Sequence, residues 1–156
     1  MRATMRDRVR EELRERLQDN RFTHFVTLAS NAPGTSIYRM DDWLKAWDAS
    51  MNHILIGSRW RKRPDLRMIW FAFLEKPETN PHWHLLVDNA GLETEVQLAR
   101  LENFGLEADR MWGKVSPRGS VNTQLYLNSG AIDYVTKSVR GDVSMMRSSL
   151  DFIRNN

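Results

Sequence analysis

The chain has 156 residues, 41% of them hydrophobic and 28% charged, which is enough for one domain with a real core and too little for two. Its longest apolar run, Met68 to Leu74, is far too short to cross a bilayer. The Arg- and Glu-rich opening is unlike a secretory signal, so a cytoplasmic protein is expected. The absence of cysteine excludes disulfide staples, thiolate metal sites and cysteine nucleophiles, while a formal charge of +3 is compatible with a nucleic-acid partner without demanding one.

In chain order, Met5 to Asp19 reads as a surface helix, because Val9, Leu13 and Leu17 recur four apart among charged residues. Phe22 to Ser30 is the first predicted strand, and Asn31 to Gly34 is a loop by its turn chemistry. Asp41 to Ile56 places Trp43, Leu44, Trp47, Met51, Ile54 and Leu55 at helical spacing. The strongly basic run Arg59 to Arg67 follows, then a strand over Met68 to Lys76, a short loop over Pro77 to Pro81, and a strand over His82 to Asp88. Two strands joined by so short a loop make an antiparallel hairpin. Leu92 to Phe104 reads as a second core helix, and Arg110 to Leu127 as one or two strands around a Pro-Arg-Gly turn. Ser129 to Arg140 reads as a helix, with a possible turn over Asp151 to Arg154. The expected fold class is α+β: one domain with a central antiparallel sheet of about five strands and flanking helices, ferredoxin-like or RRM-like.

Within the hairpin, His82 and His84 sit two apart on a strand, so both imidazoles project from one face while Trp83 points to the other. Two histidines on a solvated face would show the same spacing, and the hairpin separates the readings. A turn centred between Glu78 and Thr79 sets Glu75 opposite His82 and Phe73 opposite His84, which brings a carboxylate onto the imidazole face. Glu78 is the competing third ligand, but it lies in the loop. Imidazole plus carboxylate suits Mn²⁺, Mg²⁺, Zn²⁺ or Fe²⁺, so ligand type leaves the metal open. The cupin pattern and the HxHxDH hydrolase pattern both fail: Lys76 stands where a cupin has glycine, and Leu86 and Val87 stand where the hydrolases have Asp and His.

Tyr134 and Lys137 lie three apart on a predicted helix and share a face. A strand reading FVTLAS, a PHWHLLV strand and a YVTK helix follow one another in one small domain. In that order they resemble the HUH endonuclease superfamily, named for its His-hydrophobe-His motif, and within it the replication-initiator (Rep) branch. The resemblance spans roughly residues 22–140. It implies that His82, His84 and Glu75 hold a divalent metal ion, Mn²⁺ or Mg²⁺, that Tyr134 is the nucleophile, and that Lys137 assists it. One tyrosine in the third motif marks the single-tyrosine type, and conjugative relaxases run the motifs in the opposite order. Many viral members carry a helicase domain after the nuclease. This sequence has no GxxxxGK[ST] phosphate loop, so strand opening at a replication origin is expected to come from a separate helicase.

The chemistry implied is nicking and rejoining of single-stranded DNA through a 5′-phosphotyrosine, initiating rolling-circle replication of a plasmid or phage. Arg59, Arg61, Lys62, Arg63 and Arg67 are candidate backbone contacts, with Arg118 and Arg140 as weaker ones, and Trp60 is a candidate for stacking on a base. A transposase using the same chemistry and a non-catalytic single-stranded nucleic-acid-binding domain are the alternative readings.

Overall fold

The computed structural model describes residues 11, 14, 15, 22–89, 103–126, 130, 134 and 146–153. Within them run β1 (His24–Ala29), α1 (Ile37–Ile56), a 3₁₀ turn (Trp60–Lys62), β2 (Ile69–Glu75), β3 (His82–Asp88), α2 (Phe104–Val115), β4 (Ser120–Leu125), β5 (Met146–Ser148) and α3 (Ser149–Ile153). The strands form one antiparallel sheet in the order β4-β1-β3-β2-β5. A β-α-β-β-α-β order with the first four strands ranked 4-1-3-2 is ferredoxin-like, and β5 adds a fifth strand beside β2. None of the helices among the described residues is long and apolar enough to cross a membrane.

Strand alternation sorts the sheet into two faces. Val26, Leu28, Trp70, Ala72, Leu74, Trp83, Leu85 and Val87 point to the helices and join Leu44, Trp47, Met51, Phe104 and Trp112 in the main core. Phe71, Phe73 and Leu86 point the other way and cluster with Phe22. Trp83 is fully buried on the helical side, and its indole N–H donates to the Met40 carbonyl at 3.0 Å. His82 and His84, its neighbours, therefore occupy the opposite face.

Helix α1 begins four residues earlier than its apolar spacing predicts. Ser36 caps it, its hydroxyl accepting from the Arg39 N–H at 3.1 Å, and Gly57 ends it in the left-handed region at φ 117°. Met40, Leu44, Trp47, Met51 and Leu55 form its buried stripe. On that stripe the buried Asp48 carboxylate accepts from Arg67 at 2.8 Å, from the Trp70 indole at 2.8 Å and from Asn52 at 3.0 Å. Burial pushes this carboxyl up, against the pull of its three donors.

The second half departs from the expected elements. Residues 90–102, most of the expected second helix, lie outside the described residues. Arg110–Val115, expected as strand, is the latter half of α2. The Phe104, Ala108, Met111 and Trp112 stripe continues at helical spacing straight through Arg110, and this packing overrides the strand-like look of Met111-Trp112. Strand pairing starts only at Ser120. In the turn between, a side chain at Gly119 would lie 2.5 Å from the Trp112 indole nitrogen, so the close approach needs glycine.

Candidate metal centre and nucleophile

The β2–β3 register pairs Glu75 with His82 and Phe73 with His84. Three ligand atoms consequently converge. His82 Nε2 lies 3.1 Å from His84 Nε2 and 3.2 Å from Glu75 Oε2, and His84 Nε2 lies 2.5 Å from the same oxygen. Ligands about 2.1 Å from one ion and at right angles to each other sit about 3.0 Å apart, close to two of these three edges. Glu75, His82 and His84 can hold a metal ion. Glu78 is exposed in the turn.

Proton bookkeeping points the same way. His82 Nδ1 is 2.8 Å from the Asn80 carbonyl, which has no proton to give, so the hydrogen resides on Nδ1. In the neutral ring Nε2 is then a bare lone pair directed at a carboxylate oxygen. A hydrogen on His84 Nε2 would face both Glu75 and His82, and the remaining His82–Glu75 edge is relieved by a further proton or, together with the other two, by a metal ion. His84 Nδ1 meets the Thr27 hydroxyl at 3.0 Å, and the Phe25 ring stacks on the His84 imidazole at 5.6 Å. Burial, followed by the charge of His82, holds His84 below the ordinary histidine range. Glu75 is raised by burial, but the hydrogen bonds and charges of His84 and His82 outweigh this and hold it below the ordinary carboxylate range.

Tyr134, in helical backbone, closes over this face. Its hydroxyl donates to Glu75 Oε2 at 3.4 Å, and its ring meets His84 edge-on at 5.2 Å and Phe25 at 6.3 Å. Tyr134 remains 49% exposed. Burial, then the charge and hydrogen bond of Glu75, push the phenol up. Lys137 lies outside the described residues, as does Arg140.

The basic run is not brought to this site. Arg59, Arg61, Lys62 and Arg63 are exposed in the segment after α1, and Arg63 pairs with Asp65 at 2.9 Å. Trp60 and Arg61 line a shallow cleft of about 390 Å³ together with His53 and Ile54 of α1 and Arg110 and Lys114 of α2. That cleft belongs to the helical layer, across the sheet from the histidines. Trp60 cannot stack on a base as expected: it is 4% exposed, with the Arg61 and Arg67 guanidinium groups over its ring at 4.7 and 4.8 Å. Arg67 is no phosphate contact either, being buried against Asp48.

Thr27 lies within the FVTLAS strand but was given no role there, and Asn80 carries no motif, so sequence reasoning missed both. Their relation to the histidines emerges only once the strands are in register. His24, which has no assigned role, is buried on the helical side, where it stacks on Phe104 at 4.5 Å and contacts Thr23 Oγ1 at 2.8 Å. No family model, curated protein or solved structure matches the chain.

Proposed function

We propose that this domain is a metal-dependent tyrosine nuclease that nicks and rejoins single-stranded DNA. One observation carries the reading: a single oxygen of Glu75 touches both histidine ligands and the Tyr134 hydroxyl. A carboxylate shared in this way places a nucleophile within reach of whatever a cation in the triad would hold. When bound, a divalent ion, Mn²⁺ or Mg²⁺ in this reading, offsets the Glu75 charge that disfavours phenolate and polarises a phosphate oxygen.

Tyr134 Oη attacks the phosphorus, the bond from phosphorus to the 3′-oxygen breaks, and the leaving oxygen takes up a proton to give a free 3′-hydroxyl. The 5′-phosphate stays on the tyrosine. One phosphodiester is exchanged for another, so a 3′-hydroxyl can reverse the step without ATP. Phe25 and His84 pack roughly perpendicular to the Tyr134 ring, beside the hydroxyl's partner Glu75. The substrate is single-stranded, because a duplex would hold its backbone away from the sheet face. Reversible nicking, together with the resemblance to Rep-type HUH endonucleases, supports initiation of rolling-circle replication at an origin, with strand opening by a separate helicase.

The test uses a degenerate pool of single-stranded oligonucleotides labelled at the 3′ end, incubated with the protein and Mn²⁺. A labelled protein adduct that survives SDS and disappears with EDTA is expected. Retention of the oligonucleotides without any adduct would leave only a nucleic-acid-binding domain.

A further inference from the structure

We infer that Thr27 and Asn80 are positioning residues for the metal triad, each holding the Nδ1 side of one histidine so that its Nε2 is presented as a ligand. The inference rests on the metal reading above and extends it to two further elements of the fold.

For His82 the argument is chemical. The Asn80 carbonyl accepts from Nδ1, which fixes the tautomer and leaves Nε2 bare. That carbonyl is itself held by the side chain of the same residue. Asn80 Oδ1 accepts from the Asn31 backbone N–H at 2.9 Å and from the Ser30 hydroxyl at 3.3 Å, while its Nδ2 donates to Asn31 Oδ1 at 3.2 Å. Asn31 adopts the left-handed region at φ 51°, and its Nδ2 donates to the Arg118 carbonyl at 3.0 Å and the Ser120 hydroxyl at 2.9 Å. Two asparagines thus tie the β2–β3 turn, the end of β1 and the start of β4 into one clasp behind His82.

For His84 the argument is positional. Thr27 lies opposite it in the β1–β3 register, and its hydroxyl is the group facing Nδ1. Without a cation, the carboxylate at Nε2 calls for a hydrogen on that nitrogen. With a cation Nε2 must be bare, and the ring hydrogen then resides on Nδ1, where the Thr27 oxygen is placed to accept it. A valine there would leave a largely buried N–H without a partner. Partners of this kind fix ring orientation and raise ligand basicity.

The experiment measures Mn²⁺ affinity by the loss of free-ion electron paramagnetic resonance signal, with no DNA present. Thr27→Val is isosteric and Thr27→Ser restores the hydroxyl, while Asn80→Ala lies in the turn and tests His82 should the strand variant fold poorly. Thr27→Val and Asn80→Ala are expected to weaken Mn²⁺ binding by about 10–100-fold, with Thr27→Ser close to the parent. The His82 ring-nitrogen spectrum of the metal-free parent should show the hydrogen on Nδ1, and Asn80→Ala should mix the tautomers. Folded variants that bind Mn²⁺ like the parent would overturn the positioning role and leave the metal site standing. A parent that binds no Mn²⁺ would overturn the metal reading and this inference together.

Discussion

Tyr134 and Glu75 are 59 positions apart in the chain, yet the phenol donates to the carboxylate at 3.4 Å. Tyr134→Phe removes that hydroxyl and keeps the ring against His84 and Phe25. The SDS-stable adduct should vanish, while oligonucleotide retention and Mn²⁺ affinity stay within about threefold of the parent, because neither rests on the phenolic oxygen. Tyr38 is 79% exposed and is the control: Tyr38→Phe should form adduct at the parental rate. Gel analysis of the three proteins tests Tyr134 as the proposed nucleophile, and adduct from Tyr134→Phe equal to the parent's would point to Tyr38 or Tyr126 instead.

Glu75 and Glu78 are close in sequence but differ in setting, one in the triad and the other exposed in the turn. Glu75→Gln should reduce Mn²⁺ affinity by about 10-fold or more, and Glu78→Gln should leave it unchanged. Calorimetric titration of both variants is the check, and equal losses would break the assignment of the third ligand.

Arg67 and Asp48 form a buried ion pair in the helical core. Removing one partner strands a charge, so Arg67→Met should cost about 3–5 kcal/mol in urea unfolding. The double variant Arg67→Met with Asp48→Asn should recover part of that loss. Trp83→Ala, which empties a fully buried site, should cost a similar amount, about 3–5 kcal/mol.

Burial holds His24 below the ordinary histidine range. The unfolded chain takes up this proton near pH 6.5, while the folded ring resists until lower pH. Below about pH 6.5 the unfolded state binds more protons, so stability falls as the pH drops from there toward the folded value. His84 acts in the same direction. His24→Phe keeps a ring against Phe104 and removes one titrating group. Urea unfolding at about pH 7.5 and about pH 5 should therefore show a smaller loss in the variant than in the parent.

Arg59, Arg61 and Lys62 are exposed on the layer away from the triad. Each one that contacts a phosphate should, on replacement by alanine, lower single-strand affinity for all sequences alike and reduce the salt slope by about 0.7. Mn²⁺ affinity should not move. Fluorescence anisotropy across a salt series provides the measurement.

The hairpin was legible because its register follows from one short loop and a two-residue period. Strand β3 runs over the expected residues, and Glu75 faces His82 as the turn demands. The start of α1 was hidden because capping by Ser36 outweighs the mixed character of Ile37 to Met40. The extent of α2 was misread because Met111 and Trp112 suit a strand as well as a helix, and only packing decides between them. Strand β5 has three residues and no alternation to betray it. The Nδ1 partners of the histidines were invisible for a different reason: one is a hydroxyl on a neighbouring strand and the other a main-chain carbonyl.

Strand β5 pairs with Phe71, Ala72 and Phe73, and Arg147 within it reaches Asp41 of α1 through two bonds of 2.8 and 3.0 Å. It is the lid on an otherwise open ladder, laid along the most aromatic strand of the sheet. A chain cut after Arg140 would retain Glu75, His82, His84 and Tyr134, the residues of the proposed chemistry. It would also turn β2 into a bare, sticky border able to recruit the same border of another molecule. Strand β5 thus covers the β2 edge, and a chain trimmed to the proposed site residues is expected to self-associate through that edge, which light scattering would show.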